Sequence, residues 1–255
     1  MKGLLIKDFY CLKKQLINYG FIIVGVVVVS ILFVLSYNFG NIHAGFTELI
    51  DSGQSSEAGI TMIASNALLL FMLIPIACTG DITNLVIDDE KASFYKVAST
   101  LPVSIGRRVA CRFIAGYLFI AIGVAVDLIM SIVLASITGI ISLGKFFGVI
   151  TSFASIMMMY VSLFILLVYV LGKGKNAYAN MIPLLAGAAV YVCANFSSLR
   201  AFLTDSDDNA LMELYHRTTE FMFYRSYLLF IAAIVLSGSA YIAAVGIAKR
   251  KRGVA

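Results

Sequence analysis

Long apolar runs, separated by short polar stretches that hold most of the charge, leave this chain few folds to adopt. A bilayer core takes roughly 20 apolar residues per helix. Inside it every backbone polar group must be satisfied within its own segment or a closed barrel, so runs of this length read as helices. Composition points the same way. The chain is 61% hydrophobic and only 13% charged over 255 residues, too little charge to cover a soluble domain of that size. The expected fold is an all-α integral membrane domain occupying 1–255, with six transmembrane helices at about 19–39, 58–79, 113–137, 146–171, 177–194 and 226–248.

Charge placement orients these spans. With both termini cytosolic, fifteen of the nineteen Lys and Arg fall in cytosolic segments and four, Lys145, Arg200, Arg217 and Arg225, outside. That bias follows the positive-inside rule and requires an even number of spans. Residues 1–17 carry Lys2, Lys7, Lys13 and Lys14 among Leu and aromatic side chains. They read as an amphipathic helix lying in the cytosolic headgroup layer, in contact with membrane lipid. The run from Phe21 to Tyr37 is longer than a signal-peptide core and no small-x-small cleavage site follows, so it is read as a retained first span. The net charge of +5 follows loop topology and forms no stripe for nucleic acid. The four cysteines, Cys11, Cys78, Cys111 and Cys193, form no CxxC pair and read as apolar fillers.

Catalytic chemistry finds no footing. Gly139 to Lys145 matches G-x-x-x-x-G-K, but Phe146 stands where magnesium binding needs Ser or Thr, and no strand precedes it. His43 and His216 lie in outer loops without metal-ligand spacing. No G-x-S-x-G elbow occurs. The chain is therefore not expected to be an enzyme, and any ATP-driven work needs a partner.

Asp127, near the centre of the third span, is the most unusual residue. A carboxylate at that depth costs several kcal/mol unless paired, protonated or wetted. Gly116, Gly123, Asp127 and Ser131 share one helix face, a small and polar stripe that should meet another helix rather than lipid. Asp127 then either lines a substrate path, couples to a proton, or makes a structural contact. Asn66, Tyr160 and Asn180 are further polar residues within spans, where helix-to-helix hydrogen bonding is the bland alternative. Pro75 and Pro183 each remove a backbone donor inside a span, where a kink is expected. Residues 205–223, outside, are read either as an amphipathic helix begun by Asp205, Asp207 or Asp208, or as a polar connector.

The loop over residues 80–112 is the longest charged stretch. Its first part, about 85–99, has Asp88, Asp89 and Glu90 in front and lysines behind, as a helix dipole favours, with Phe94 and Tyr95 giving an apolar patch. Leu101-Pro102 ends that helix. Ser104 can cap a second helix that enters the third span with Arg107 and Arg108 in its first turns. The acidic cluster, then Ser99-Thr100-Leu101-Pro102-Val103-Ser104, then Arg107-Arg108-Val109, resembles the signature loop of ABC-2 type permeases. Lys7-Asp8 before the first span and the six-span topology resemble that family too. Within it the chain looks like small Firmicute permeases linked to export of, or immunity to, membrane-active peptides such as phenol-soluble modulins. It departs from them at Cys111-Arg112, where a Lys is usual.

The resemblance implies the permease subunit of an ABC exporter for amphipathic peptides or other hydrophobic substrates, in a bacterial cytoplasmic membrane. It implies a coupling helix over about 85–100, with Asp88, Asp89, Glu90, Phe94, Tyr95, Leu101 and Pro102 as the ATPase-coupling residues. ATP and Mg would be bound by a separate ABC ATP-binding subunit, and a second permease copy or paralogue would complete the path. Asp127, Asn66 and Tyr160 are the candidate substrate-path residues, and no metal site is expected. The alternatives are a secondary transporter or channel working through Asp127, and a permease-like immunity subunit.

Overall fold

The computed structural model describes residues 2–40, 44–45, 47–48, 51, 53, 73–79, 82, 85, 89, 103–138, 143–172, 174–196, 200 and 217–252. Among them there is helix and no strand. Five long helices carry the fold: α1 (Lys2–Phe39), α3 (Ile105–Thr138), α4 (Leu143–Leu171), α5 (Asn176–Ala194) and α6 (Ser226–Arg252). Each is long and apolar enough to cross a bilayer. Between α1 and α3 the helical stretch 73–79, labelled α2, occupies the end of the expected second span; the rest of that span lies outside the described residues. The chain is thus a multi-pass membrane protein.

Helix ends fall where the residues dictate. The first backbone bond of α3 runs from Arg108 N–H to the Ser104 carbonyl at 3.2 Å, so the helix begins where the serine was expected to cap it. The Arg108 side chain turns back and donates from Nε to the Val103 carbonyl at 3.1 Å. α4 stops at Leu171 because Gly172 takes φ +77°, and Gly174 takes φ +75° before α5 starts. Glycine alone enters that left-handed region without a steric cost, and the Gly172 N–H caps the Val168 carbonyl at 3.1 Å.

At the N-terminus the outcome differs from expectation. Residues 2–17 do not form a separate helix; α1 runs from Lys2 to Phe39 as one helix, about 57 Å at 1.5 Å per residue. The reason is local. No proline interrupts residues 15–21, and Gly20 alone weakens a helix by about 1 kcal/mol without ending it. The amphipathic segment is the extension of the first span. α5 continues as one helix through Pro183.

α4 is the hub. It packs against α3, α5 and, most extensively, α6, while α1 packs on α3. The core is built from Phe146, Ile150, Val161, Phe164 and Ile165 of α4 with Val109, Phe113, Phe119 and Ile120 of α3. α1, α5 and α6 keep large apolar side chains outward, as helices facing lipid or a second subunit do.

Candidate functional site

Several polar centres lie inside the apolar bundle, and two of them hold charged side chains among the described residues. The first is at the start of α3. Asp89, from the stretch between α2 and α3, is buried, and its carboxylate accepts hydrogen bonds from Lys7 Nζ of α1 and, at 2.6 Å, from Arg112 Nη2 of α3. Lys7 also pairs with Asp8 at 3.0 Å. Two cations and two carboxylates thus join three segments that are distant in sequence. Ion pairs with charge-assisted hydrogen bonds, partly shielded from water, are the strong kind. Asp8 is buried as well, and that burial holds its carboxyl above the usual carboxylate range, against the opposing pull of Lys7 and Arg112. Ile82 and Leu85, which precede Asp89 in the chain, are buried in the core.

Among the residues expected to couple to an ATPase, Asp89 is the one described. Its carboxylate faces inward, to Lys7 and Arg112. Asp88, Glu90, Phe94, Tyr95, Leu101 and Pro102 lie outside the described residues, as does Asn66 of the expected substrate path.

The second centre is Asp127. It stands fifteen residues after Arg112 on α3, about 22 Å along the axis. Its exposure is 0%. Neither carboxylate oxygen has a hydrogen bond of ordinary geometry among the described residues, but the Ile76 backbone N–H of α2 stands close enough to interact with it. The expected stripe is real: Gly116, Gly123, Asp127 and Ser131 are all buried. Gly123 is where α2 closes on α3. A Cβ there would overlap Thr79 Oγ1 and lie 2.8 Å from Ile76 Cα and 3.0 Å from the Pro75 carbonyl oxygen. At Gly116 a Cβ would stand 2.7 Å from Val161 Cγ1. The turn of α2 against Gly123 satisfies itself: Thr79 Oγ1 donates to the Pro75 carbonyl at 2.9 Å, with the Ile76 carbonyl at 3.3 Å. Leaving a buried polar group unbonded costs roughly 1–3 kcal/mol.

Tyr160 lies at the contact between α4 and α5. Its hydroxyl donates to Asn180 Oδ1, tying α4 to α5. A further cluster escaped the sequence reading. Tyr117 of α3, Ser162 of α4 and Ser237 of α6 meet at 2.9 Å on each side of Ser162. Ser162 also bonds the Met158 carbonyl. One arrangement satisfies all three contacts: Ser162 donates to Met158 while Tyr117 and Ser237 donate to Ser162. Single serines in apolar spans carry too little pattern to be found; only their convergence on one point singles them out.

At the far end of α4, Gly148 lets residues 217–224 approach. A Cβ there would lie 2.7 Å from the Phe223 carbonyl oxygen. Ser152 donates to the Met222 carbonyl at 3.2 Å, and Lys145 lies over the Phe223 ring at 5.6 Å. The outer segment 205–223, read either as a helix begun at 205–208 or as a polar connector, is described only from 217 on, where it is helical. No group of metal-ligating side chains occurs among the described residues.

The family model described as ABC-2 family transporter protein matches residues 58–249 of this chain. No curated protein matches, and no solved structure does.

Proposed function

The chain belongs to the ABC-2 family of transporter proteins, and on that premise we propose that it is the permease subunit of an exporter driven by a separate ATP-binding subunit. The observation that carries this reading is the ion cluster of Lys7, Asp89 and Arg112. A docking loop that floated in water would transmit no force. Here the loop's acidic start is bonded to the two helices that enter the bilayer beside it, so displacement of the loop moves α1 and α3 together. Residues about 85–100 serve as the coupling helix, with Phe94 and Tyr95 as the apolar contact and Leu101-Pro102 as its end. Asp88 and Glu90 lie on the same element. Asp89 positions that element and does not itself touch the ATPase.

The partner ATPase binds ATP and Mg; this chain holds neither. A second permease copy or paralogue supplies the facing half of the path. Asp127, Asn66 and Tyr160 line it, and amphipathic peptides or other hydrophobic molecules fit a lining rich in Phe, Tyr and Met. A bacterial cytoplasmic membrane, with both termini inside, agrees with the distribution of Lys and Arg.

Affinity purification from the native membrane tests the reading. Wild-type chain is expected to bring an ABC ATPase at near one-to-one ratio, and Phe94→Asp to lose it while still inserting into the membrane. Normal recovery of the ATPase with Phe94→Asp would remove the docking assignment. A second reading, a secondary transporter, is favoured by the fully buried carboxyl of Asp127 within a membrane-spanning helix; transport by the chain alone, without any ATPase, would establish it.

A further inference from the structure

α3 and α6 run antiparallel, so the start of one stands beside the end of the other. They touch at Gly106, whose carbonyl accepts the Tyr241 hydroxyl at 3.5 Å and whose missing Cβ would lie 4.0 Å from Val245 Cγ1. The Tyr241 ring also packs edge-on against Phe113. α4 closes one flank of this seam, where Ser162 sits between Tyr117 and Ser237. On the other flank each helix turns an exposed cation outward at the same end. Arg107 follows Gly106 and points about 180° around α3 from Gly116, the glycine that faces Val161 of α4. Lys249 stands one turn beyond Val245, away from the buried Ala240 and Ala244. Each cation ends an exposed apolar face of its own helix. Ile114 and Leu118 continue the face of Arg107, and Ile242 and Val235 that of Lys249. Ile114 and Ile242 each lie about 10 Å along the axis from the cation. α6 carries no Asp or Glu, and neither Arg107 nor Lys249 pairs with a carboxylate among the described residues.

We propose that Arg107 and Lys249 form a binding site for the headgroup phosphate of an anionic phospholipid, whose acyl chains lie along the apolar faces beneath them. Both residues stand at the ends of membrane-crossing helices, the depth at which a bilayer keeps its phosphates. Two neighbouring cations without an acid favour a lipid of net negative charge over a zwitterionic one, whose own ammonium opposes them. A second copy of this chain is the poorer occupant. A two-fold contact through this flank would bring four cations together with no carboxylate of α6 to meet them. Occupancy ties the first turn of α3 to the last turns of α6, whatever the protein carries across the membrane. The site therefore stands apart from the exporter reading.

The chain has no tryptophan, so Ile114→Trp gives the full-length protein a single fluorophore beside the site. It is reconstituted in phosphatidylcholine vesicles, and its quenching by tail-brominated phosphatidylglycerol is compared with quenching by tail-brominated phosphatidylcholine. With both cations in place, the anionic lipid is expected to be preferred about tenfold at this position. Arg107→Gln together with Lys249→Gln should bring the two lipids to parity while quenching by phosphatidylcholine, the sign of correct insertion, stays the same. Arg107→Lys should keep the preference. Lys175→Gln is the control for a general basic field, since Lys175 is exposed at the start of α5, which packs on α4; it should change nothing. Equal quenching by the two lipids with both cations present would overturn the site, and that comparison needs no charge variant to fold. Weak quenching by both would overturn it too, because protein would then cover the flank. So would a preference that survives the double substitution, or one that Lys175→Gln lowers as much.

Discussion

Lys7, Asp8, Asp89 and Arg112 show how charge is tolerated at the mouth of an apolar bundle. Neutrality is reached within the cluster, and the two carboxylates differ in what surrounds them. Asp89 accepts from two cations, so removing its charge leaves Lys7 and Arg112 poorly matched. Asp89→Asn is expected to cost about 1–3 kcal/mol, read as a lower unfolding temperature in detergent. Asp8 is held above its usual value of 3.8, chiefly by burial. The folded protein therefore binds that proton more tightly than the unfolded chain does. The associated stability is present at low pH and is lost as pH rises through the unfolded value and then the folded one. Asp8→Asn should flatten that fall in a thermal unfolding series against pH, and should be neutral or stabilising at pH 7. A loss at pH 7 as large as that of Asp89→Asn would contradict this account of Asp8.

Between elements, close approach is decided by single glycines. Gly148 admits the backbone of residues 222–223 onto α4, and Ser152 fastens it there. Gly148→Ala should push that segment away, because the obstacle is a backbone carbonyl that cannot swing aside as a side-chain tip can. Labelling of a cysteine placed at Tyr224, in a background lacking the four native cysteines, should rise in Gly148→Ala. Gly246→Ala is the control: nothing lies within 4 Å of its missing Cβ, so stability should be unchanged or rise by about 0.4–1 kcal/mol. At Ser162 the argument is one of satisfaction. Ser162→Ala removes the group that both Tyr117 and Ser237 contact and strands two hydroxyls in the interior. The expected cost, about 1–3 kcal/mol, should exceed that of Ser239→Ala, whose exposed hydroxyl bonds only its own helix at Leu236. Equal losses would mean the three-helix contact contributes nothing.

For the molecule as a whole, topology is the quantity to measure. A cysteine replacing His43 should react with an impermeant reagent added outside, and one replacing Arg250 only after permeabilisation. The opposite pattern would invert the protein and place the ion cluster on the outer face, away from any cytosolic ATPase. The native Cys11 and Cys193 are exposed and have to be removed first.

Much of this was legible in the order of residues. Runs of apolar side chains set where α1, α3, α4, α5 and α6 cross, because the bilayer demands length and internal hydrogen bonding regardless of what packs nearby. Ser104 and the Gly172 and Gly174 pair set helix ends, since caps and left-handed turns are local. The Gly116, Gly123, Asp127 and Ser131 stripe was readable as an inward face for the same reason: helical periodicity is local geometry. Three things needed the tertiary structure. The inward turn of Asp89 joins residues 82 and 23 positions away, and no local pattern reports such a contact. The meeting of Tyr117, Ser162 and Ser237 depends on how three helices are rotated about their axes, which hydropathy does not constrain. The lack of a hydrogen bond of ordinary geometry to Asp127 among the described residues depends on every neighbour at once. Sequence places a carboxyl in the membrane; only packing decides whether it is satisfied.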